Sequence, residues 1–407
     1  MGEYRPLTEA EAVEYARRIP GLFPEGAKLS SKEIGDGNLN YVFRITDEGP
    51  SGKSVIFKQA LPYARVVGES WPLTLERARI ESEAMRLEEE LCPGSVPKIY
   101  HTDADMALTV MEDLSDYVVL RKALIERRRF PHFARHIGTF LARTLFLTSD
   151  LALDPQEKKR RVQKFTNPEL CRITEDLVFT DPYYDAPTNN FNPLLTDTVR
   201  EIWQNDALKL EVGKLKEKFL TQAQALLHGD LHTGSIMVTE DDTRVIDAEF
   251  AFYGPMGFDV GAVVANFLLN YAAQEVRIED EAERASYQRY LLDAIAELWN
   301  VFEREFRKLW AEEAREFFAR VPGYVDDYLL RVLQDTAGFA GCKMIRRVIG
   351  LAPVADLETI EDAHERAKAE RLALEIGQRL ILQRENVRRI GDFISLVETT
   401  KAQALVK

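Results

Sequence analysis

The sequence predicts an α+β protein of two lobes, a small β-rich lobe over residues 1–113 and a larger, mainly helical lobe over 114–407. Two observations carry this. Short apolar and β-branched runs, separated by turns rich in Gly, Asp and Lys, crowd the first third of the chain. Helical spacing takes over from Leu114 onward.

Residues 29–34 and 40–45 (NYVFRI) read as strands flanking the turn Gly35-Asp36-Gly37-Asn38, and residues 54–58 (SVIFK) as a third strand. A helix is expected over 73–91. Leu73, Ile80, Ala84, Leu87 and Leu91 share one of its faces, and Pro93-Gly94 ends it. Strands at 98–101 and 107–111 complete a compact α+β lobe. Beyond it, residues 116–127 and 131–147 read as helices, the second opened by Pro131. Residues 181–195, with three prolines and several Asn and Asp, read as a long surface loop. Short β segments follow at 236–239 and 244–246. Residues 258–407 read as helices with charged outer faces, and Lys158 to Arg161 as a solvated helix face.

Composition narrows the function. The 53 basic and 67 acidic residues give a net charge of -14, which argues against nucleic acid or an anionic membrane as partner. Cys92, Cys171 and Cys342 are scattered and odd in number, so neither a zinc site nor a disulfide framework is expected. The N-terminal stretch is acidic and has no apolar centre, so it does not read as a secretory signal. No run approaches the roughly 18 apolar residues of a membrane span. A cytoplasmic location is the expectation.

The most informative stretch is HGDLHTGS, His228 to Ser235, followed by Asp247-Ala248-Glu249. A carboxylate on a tight loop, joined by a hairpin to two more, suits phosphoryl transfer. Asp230 can orient an attacking hydroxyl and accept its proton, while Asp247 and Glu249 hold Mg²⁺ with hard oxygens. A zinc reading of His228 and His232 fails because Gly229 breaks the helix it needs and no Glu lies between them. Upstream, the Gly35–Gly37 turn allows backbone N–H groups to approach phosphates. Lys58 closes the strand that follows. The Gly-Lys-Ser at 52–54 is no P-loop, since a strand rather than a helix comes after it.

These segments resemble the H-G-D-x-x-x-x-N loop and metal motif shared by aminoglycoside phosphotransferases, choline kinases and their relatives, which have the protein-kinase-like fold. The form HGDLHTGS with D-x-E continuing as FAFYGPMGFD is similar to the 5-methylthioribose kinase family in particular. The resemblance implies an ATP- and Mg²⁺-dependent sugar kinase of methionine salvage, acting as a homodimer. It implies Asp230 as catalytic base and substrate contact. Gly35, Gly37, Asn38 and Asn40 would line the ATP phosphates, and Lys58 would reach the α- and β-phosphates. Glu83, at the edge of the helix's apolar face, is the chosen partner of Lys58. Glu112, Asp113 and Leu114 fall where such kinases place the adenine hinge. Asp247, Ala248 and Glu249 form the metal loop. Ser235 stands where most relatives have Asn, which weakens it as a metal ligand. Arg346 and Arg347 would bind the sugar, and Trp71 would belong to a loop closing near it. Rival readings are a kinase of the same fold for an aminoglycoside, choline or homoserine, a silent nucleotide-binding scaffold, and a metal-dependent hydrolase.

Overall fold

The computed structural model describes residues 4–34, 39–64 and 68–404. It divides into two units. One is Met1–Tyr117 with Arg244–Ala251; the other is Val118–Thr243 with Phe252–Lys407. The segment carrying Asp247 and Glu249 thus clusters with the N-terminal unit, although it lies far beyond residue 113.

The first unit opens with helix α1 (Glu9–Arg18), seated on a capping box in which Thr8 accepts from the Glu11 N–H and the Glu11 carboxylate accepts from the Thr8 N–H. Then come β1 (Leu29–Glu33), β2 (Asn40–Asp47), β3 (Ser54–Ala60), β4 (Tyr63–Ala64), β5 (Gly68–Pro72), α2 (Glu76–Leu91), β6 (Ile99–Asp103) and β7 (Leu108–Glu112). Five strands form an antiparallel sheet in the order β1-β2-β3-β7-β6. Side chains alternate between its faces. Phe43, Ile45, Val55, Phe57, Leu108 and Val110 pack with Ala12, Ala16 and Leu22 in one core, so α1 covers that face. Lys58, one residue on from Phe57 and paired with Val42 and Thr109, points from the opposite face. The Gly-Lys-Ser segment at 52–54 is a turn running into β3, as expected.

The second unit begins with β8 (Val118–Val119) and continues with α3 (Leu120–Ile125), α4 (Phe133–Leu147), α5 (Pro155–Lys164), α6 (Pro168–Phe179), α7 (Thr196–Gln204) and α8 (Asp206–Thr221). Three short strands follow, β9 (Ala225–Leu227), β10 (Ile236–Val238) and, after β11 (Thr243–Val245) whose last two residues belong to the first unit, β12 (Phe252–Gly254). The remainder is α9 (Met256–Arg277), α10 (Glu281–Glu313), α11 (Tyr324–Ile349), α12 (Ala355–Glu358), α13 (Ala363–Leu382) and α14 (Ile390–Ala404). Helix α9 is the centre of this unit, buried from Met256 through Gln274. Its start packs into an aromatic cluster in which Phe258 meets Phe179, Phe219 and Phe339.

Several expectations need correction. The helix read over 116–127 starts only at Leu120, because Val118 and Val119 pair with Val238 and Met237 of β10. Pro131 precedes α4 rather than opening it. Residues 181–195 are not a plain surface loop. They contain 3-10 turns at Asp181–Tyr183 and Pro193–Leu195, and Pro182, Tyr183, Ala186 and Leu195 are buried. Lys158 is not solvated either: its ammonium is buried against Asp150 and the Ala223 carbonyl, each at 2.6 Å. Helix α9 lacks the charged outer face expected of the C-terminal helices. By length and composition it could cross a membrane, contrary to the sequence reading, but its apolar stretch is wholly buried inside the protein.

Candidate active site

In the first unit the site grows from Lys58. Its Nζ donates to Glu81 Oε1 of α2 at 2.7 Å and also pairs with Asp247. Burial opposes the charge on Lys58, but Asp247, Glu81 and Glu249 outweigh it and raise its pKa above the ordinary lysine value. Burial likewise lifts the Glu81 carboxyl, with Lys58 pulling the other way. The partner chosen from sequence, Glu83, is therefore corrected to Glu81. Glu83 pairs instead with Arg79 at 2.8 Å, one helical turn away. Arg77, Ala78, Ile80, Glu81, Ser82, Ala84, Met85 and Glu88 of α2 are buried. Ile80 and Ala84 carry the apolar signal for this face, whereas its three charged members give none.

Asp247 sits in the left-handed region at φ 65°, a conformation that Asp tolerates better than most residues and that marks functional loops. A 3-10 turn over Ala248–Phe250 follows and turns Glu249 inward. There Arg77, fully buried, donates to Glu249 Oε2 at 2.6 Å. The same guanidinium donates to Asn40 Oδ1 at 2.5 Å and to the Leu61 carbonyl at 2.7 Å. Asn40 Nδ2 lies 3.3 Å from Glu249 Oε2. The structure thus brings Asn40, Lys58, Asp247, Ala248 and Glu249 together. Arg77, which the sequence reading missed, holds two of them, Asn40 and Glu249. Gly35, Gly37 and Asn38 lie outside the described residues. Trp71 belongs to β5, and its side chain is likewise outside them.

The stretch proposed as a hinge ends β7. Asp113 accepts from Arg44 at 2.9 Å and from Ser54 at 2.7 Å. The Glu112 N–H is taken by the Lys98 carbonyl at 2.8 Å, and Leu114 is buried. The Asp113 carboxylate is spent on the sheet, so what this stretch can offer a purine is peptide.

In the second unit the loop after β9 is pinned by Asp259 of α9. Its carboxylate accepts from the His228 N–H at 2.7 Å and the Gly229 N–H at 3.1 Å. Gly229 turns the chain at φ 84°, which only glycine adopts freely. The turn presents Asp230 with both oxygens engaged. Lys343 Nζ of α11 lies 3.3 Å from Oδ1, and His232 Nε2 lies 3.3 Å from Oδ2. His232 Nδ1 accepts from the Gly234 N–H at 3.0 Å, so the ring proton is on Nε2, facing Asp230. Burial raises the Asp230 carboxyl, but His232, Lys343 and Arg347 outweigh it and hold it well below the usual range. Burial lowers His232 to about 4 against the pull of Asp230, leaving it neutral near pH 7. A carboxylate that stays ionised and is aimed by a neutral imidazole can orient a hydroxyl.

Arg346 and Arg347 end the long helix α11 close to this carboxylate, which acts on both. Arg121 of α3 joins them. It donates to Asn266 Oδ1 at 2.9 Å and lies 3.4 Å from Asp356 Oδ2. A Cβ on Gly234 would meet both the Arg121 guanidinium and the His232 ring within 3.0 Å. Arg121 and Lys343 were not singled out from sequence, and His232 was weighed there only as a zinc ligand. Lys343 had a signal, being three residues before Arg346 and one helical turn from it. Ser235, considered as a metal ligand, is buried in this second unit, whereas Asp247 and Glu249 belong to the first. Among the described residues no cluster of three or more His, Cys, Asp or Glu could hold a metal by itself.

A lysine shared by two carboxylates can meet phosphate charge, and an ionised aspartate on a glycine turn can meet a hydroxyl. Each suits the same class, a phosphotransferase with an alcohol acceptor. The chain belongs to the phosphotransferase enzyme family, whose model matches residues 30–310, and within it to the methylthioribose kinases. It is 52% identical to the methylthioribose kinase of Geobacillus thermodenitrificans over 98% of both chains. It is 46% identical to that of Yersinia pseudotuberculosis, over 98% of this chain and 97% of the other. A solved ethanolamine kinase from Plasmodium vivax superposes with a TM-score of 0.44 at 13% identity, over 98% of this chain and 89% of that one.

Proposed function

We propose that this protein transfers the γ-phosphoryl group of ATP to the anomeric 1-hydroxyl of 5-methylthioribose, giving 5-methylthioribose 1-phosphate and ADP. The near-full-length identity of 52% to a methylthioribose kinase supports the substrate. The observation that carries the chemistry is Asp230, kept ionised and fixed at both oxygens by Lys343 and His232. In this reading Asp230 orients the hydroxyl and takes its proton as the bond to phosphorus forms. Lys58 offsets charge on the nucleotide phosphates, with Glu81 fixing its position. Arg346 and Arg347 bind the sugar. The peptide groups of Glu112, Asp113 and Leu114 hold the adenine.

Asp247 and Glu249 suit Mg²⁺ by donor type, since both offer hard carboxylate oxygens. Asp247 is the more available, its side chain 44% exposed, whereas Glu249 is 9% exposed and faces Arg77. The ion, when bound, supplies positive charge to the phosphate oxygens. The family likeness also supports a cytoplasmic homodimer, which sedimentation of the purified protein checks.

The test is ADP release from ATP with and without Mg²⁺, offering 5-methylthioribose, ribose, choline, homoserine and kanamycin, with Asp230→Ala as control. Turnover confined to methylthioribose and abolished in Asp230→Ala is the expected result. Turnover with another acceptor would replace the substrate. Turnover surviving Lys58→Ala would favour a hydrolase over a kinase.

A further inference from the structure

Helix α9 is apolar enough by composition to cross a membrane, yet it carries a line of polar side chains. Asp259, Asn266, Asn270 and Gln274 are all buried, and Arg277 continues the line. They follow one another at intervals of 7, 4, 4 and 3 residues. At roughly 100° per residue they fall within about 80° of one another, so they form one stripe. Gly257 and Gly261 fall on the opposite face of the same helix. A Cβ on Gly261 would stand 2.9 Å from the Thr336 carbonyl oxygen, and one on Gly257 2.7 Å from Asp335 Cβ. That face is therefore seated backbone-close on α11, and the stripe rides on a fixed element.

Each member of the stripe reaches a different neighbour. Asp259 takes the His228 and Gly229 N–H groups at the start of the Asp230 loop. Asn266 Oδ1 accepts from Arg121 at 2.9 Å, and its own amide is fixed by the Ala262 carbonyl at 2.8 Å. Asn270 donates to Asp356 Oδ1 at 2.8 Å. Gln274 donates to Asn270 Oδ1 at 3.2 Å and to the Leu124 carbonyl of α3 at 3.3 Å. Arg277 donates twice to the Asp356 carbonyl, at 3.1 and 2.9 Å.

Asp356, 1% exposed, is where these contacts converge. Its Oδ2 faces Arg121 Nε at 3.4 Å, and neither atom has a hydrogen-bond partner among the described residues, so the contact is one of charge. Burial opposes the Arg121 cation, and Asp356 is the first group to sustain it, ahead of Asp230. Arg121 in turn backs the 3-10 turn Thr233–Ser235, where a Cβ on Gly234 would lie 2.9 Å from its Nη1. That turn holds His232: the Gly234 N–H donates to Nδ1 at 3.0 Å and the Ser235 N–H to the His232 carbonyl at 2.9 Å.

We propose that Asn270 and Asp356 are positioning residues for the phosphoryl transfer, acting through Arg121 on the turn that holds His232 against Asp230. This rests on the kinase reading only in naming the reaction. One rigid helix then fixes both ends of the loop, its start through Asp259 and its end through Asn266, Asp356 and Arg121. Without the Asp356 charge, Asp230 becomes the leading carboxylate that answers the Arg121 cation. The guanidinium is then drawn toward the group that must meet the hydroxyl and competes there with His232. A misplacement of about 1 Å at a reacting group lowers a rate by about 100-fold.

The experiment is a double-mutant cycle of Asp356→Asn and Arg121→Gln in the full-length protein, with Asn270→Ala as a second route to the same contact. Asp356→Asn keeps the side-chain shape and removes the charge. Hydrogen exchange read by mass spectrometry over residues 228–238 reports the turn without any substrate. Kinetics with ATP and methylthioribose give kcat and both KM values, with kcat corrected for the folded fraction found by thermal melting. Asp356→Asn and Asn270→Ala are expected to speed exchange over 228–238 by ~10-fold and to lower kcat by ~10- to 100-fold, with the KM for ATP unchanged. In the Arg121→Gln background Asp356→Asn is expected to add little to either effect. Additive losses, or a kcat that falls only with the folded fraction, would overturn the proposal and leave the stripe as packing alone. A rise in the acceptor KM with kcat intact would overturn it too, making Arg121 a substrate contact only. Should Asp356→Asn not fold, Asn270→Ala completes the cycle. A wild type that does not turn over methylthioribose removes the substrate reading, and the exchange arm of the cycle then decides this one by itself.

Discussion

Lys58 Nζ and Glu81 Oε1 lie 2.7 Å apart, with side chains only 8% and 4% exposed. Removing one partner of a buried pair leaves the other uncompensated, at a cost of about 3–5 kcal/mol, here reduced because Asp247 still faces the lysine. Glu81→Gln is therefore expected to lower the melting temperature and to reduce kcat/KM for ATP by at least ~10-fold. Glu83→Gln weakens its partly exposed pair with Arg79, worth roughly 0.3–0.5 kcal/mol, and should leave both nearly unchanged. Thermal melts and ATP kinetics on the two variants decide it. Equal losses would return Glu83 to the site.

That contrast shows what local sequence can carry. Asp230, Asp247, Glu249 and Lys58 stand in short segments whose spacing and residue types already suit phosphoryl transfer. The strands around Lys58 are short apolar and β-branched runs bounded by turns, so β2 and β3 fall close to where their residues point. Glu81 was lost because α2 buries charged residues, and apolar periodicity cannot see a buried ion pair. Arg121 and Lys343 lie more than a hundred residues from Asp230 in opposite directions, so only the packing of α3 and α11 brings them to it. Arg77 is similar, 172 residues from the Glu249 it holds. Helix α1 escaped notice for another reason: its buried face consists of two alanines, Ala12 and Ala16, too small to mark a stripe.

His232 predicts an acid-side loss of stability. It is neutral in the fold, its pKa lowered to about 4 from the ordinary 6.5, first by burial. Between those values the unfolded chain binds a proton that the folded one does not. The contribution is therefore fully present above pH 6.5 and falls away as pH drops toward 4, by about 3 kcal/mol in all. Asp230, held well below the carboxylate range, adds its own loss below about pH 4. Denaturant midpoints measured from pH 7 to pH 4 should fall in the wild type and flatten in His232→Gln. A slope unchanged by that substitution would assign the acid lability to other groups.

Lys343 makes the opposite prediction on the alkaline side. Burial first, then Arg346 and Arg347, lower it to about 8, while Asp230 opposes. The groups facing it are Asp230 on the loop, Phe258 and Asp259 on α9, and the two arginines of its own helix. Its cation is present below pH 8 and lost above it. Stability should gain between pH 8 and 10.5, because there the unfolded chain holds the extra proton. Denaturant midpoints at about pH 7, 8 and 9, with Lys343→Gln as the variant lacking the step, check the sign.

Asp259 is a positioning residue for the loop that presents Asp230. Its two oxygens satisfy two buried backbone donors, the N–H groups of His228 and Gly229. Asp259→Ala orphans both, at about 1–3 kcal/mol each, and frees the turn. A fall in melting temperature is expected together with a drop in kcat larger than any change in the KM for ATP. If kcat were preserved while stability fell, Asp259 would hold the fold without aiming the carboxylate.

Arg77 is the corresponding residue of the first unit. It is fully buried, and one planar group bonds Glu249, Asn40 and the Leu61 carbonyl. A lysine cannot reproduce that fork, so Arg77→Lys should destabilise by about 3–5 kcal/mol despite keeping the charge. Arg77→Met removes the guanidinium that Glu249 accepts from and should also destabilise. Adding Glu249→Gln to Arg77→Met removes the carboxylate charge, so the double variant should be more stable than Arg77→Met alone. Urea unfolding of the four proteins in this cycle measures the coupling. Additive losses would mean that Arg77 serves the Leu61 and Asn40 contacts, with Glu249 held by something else.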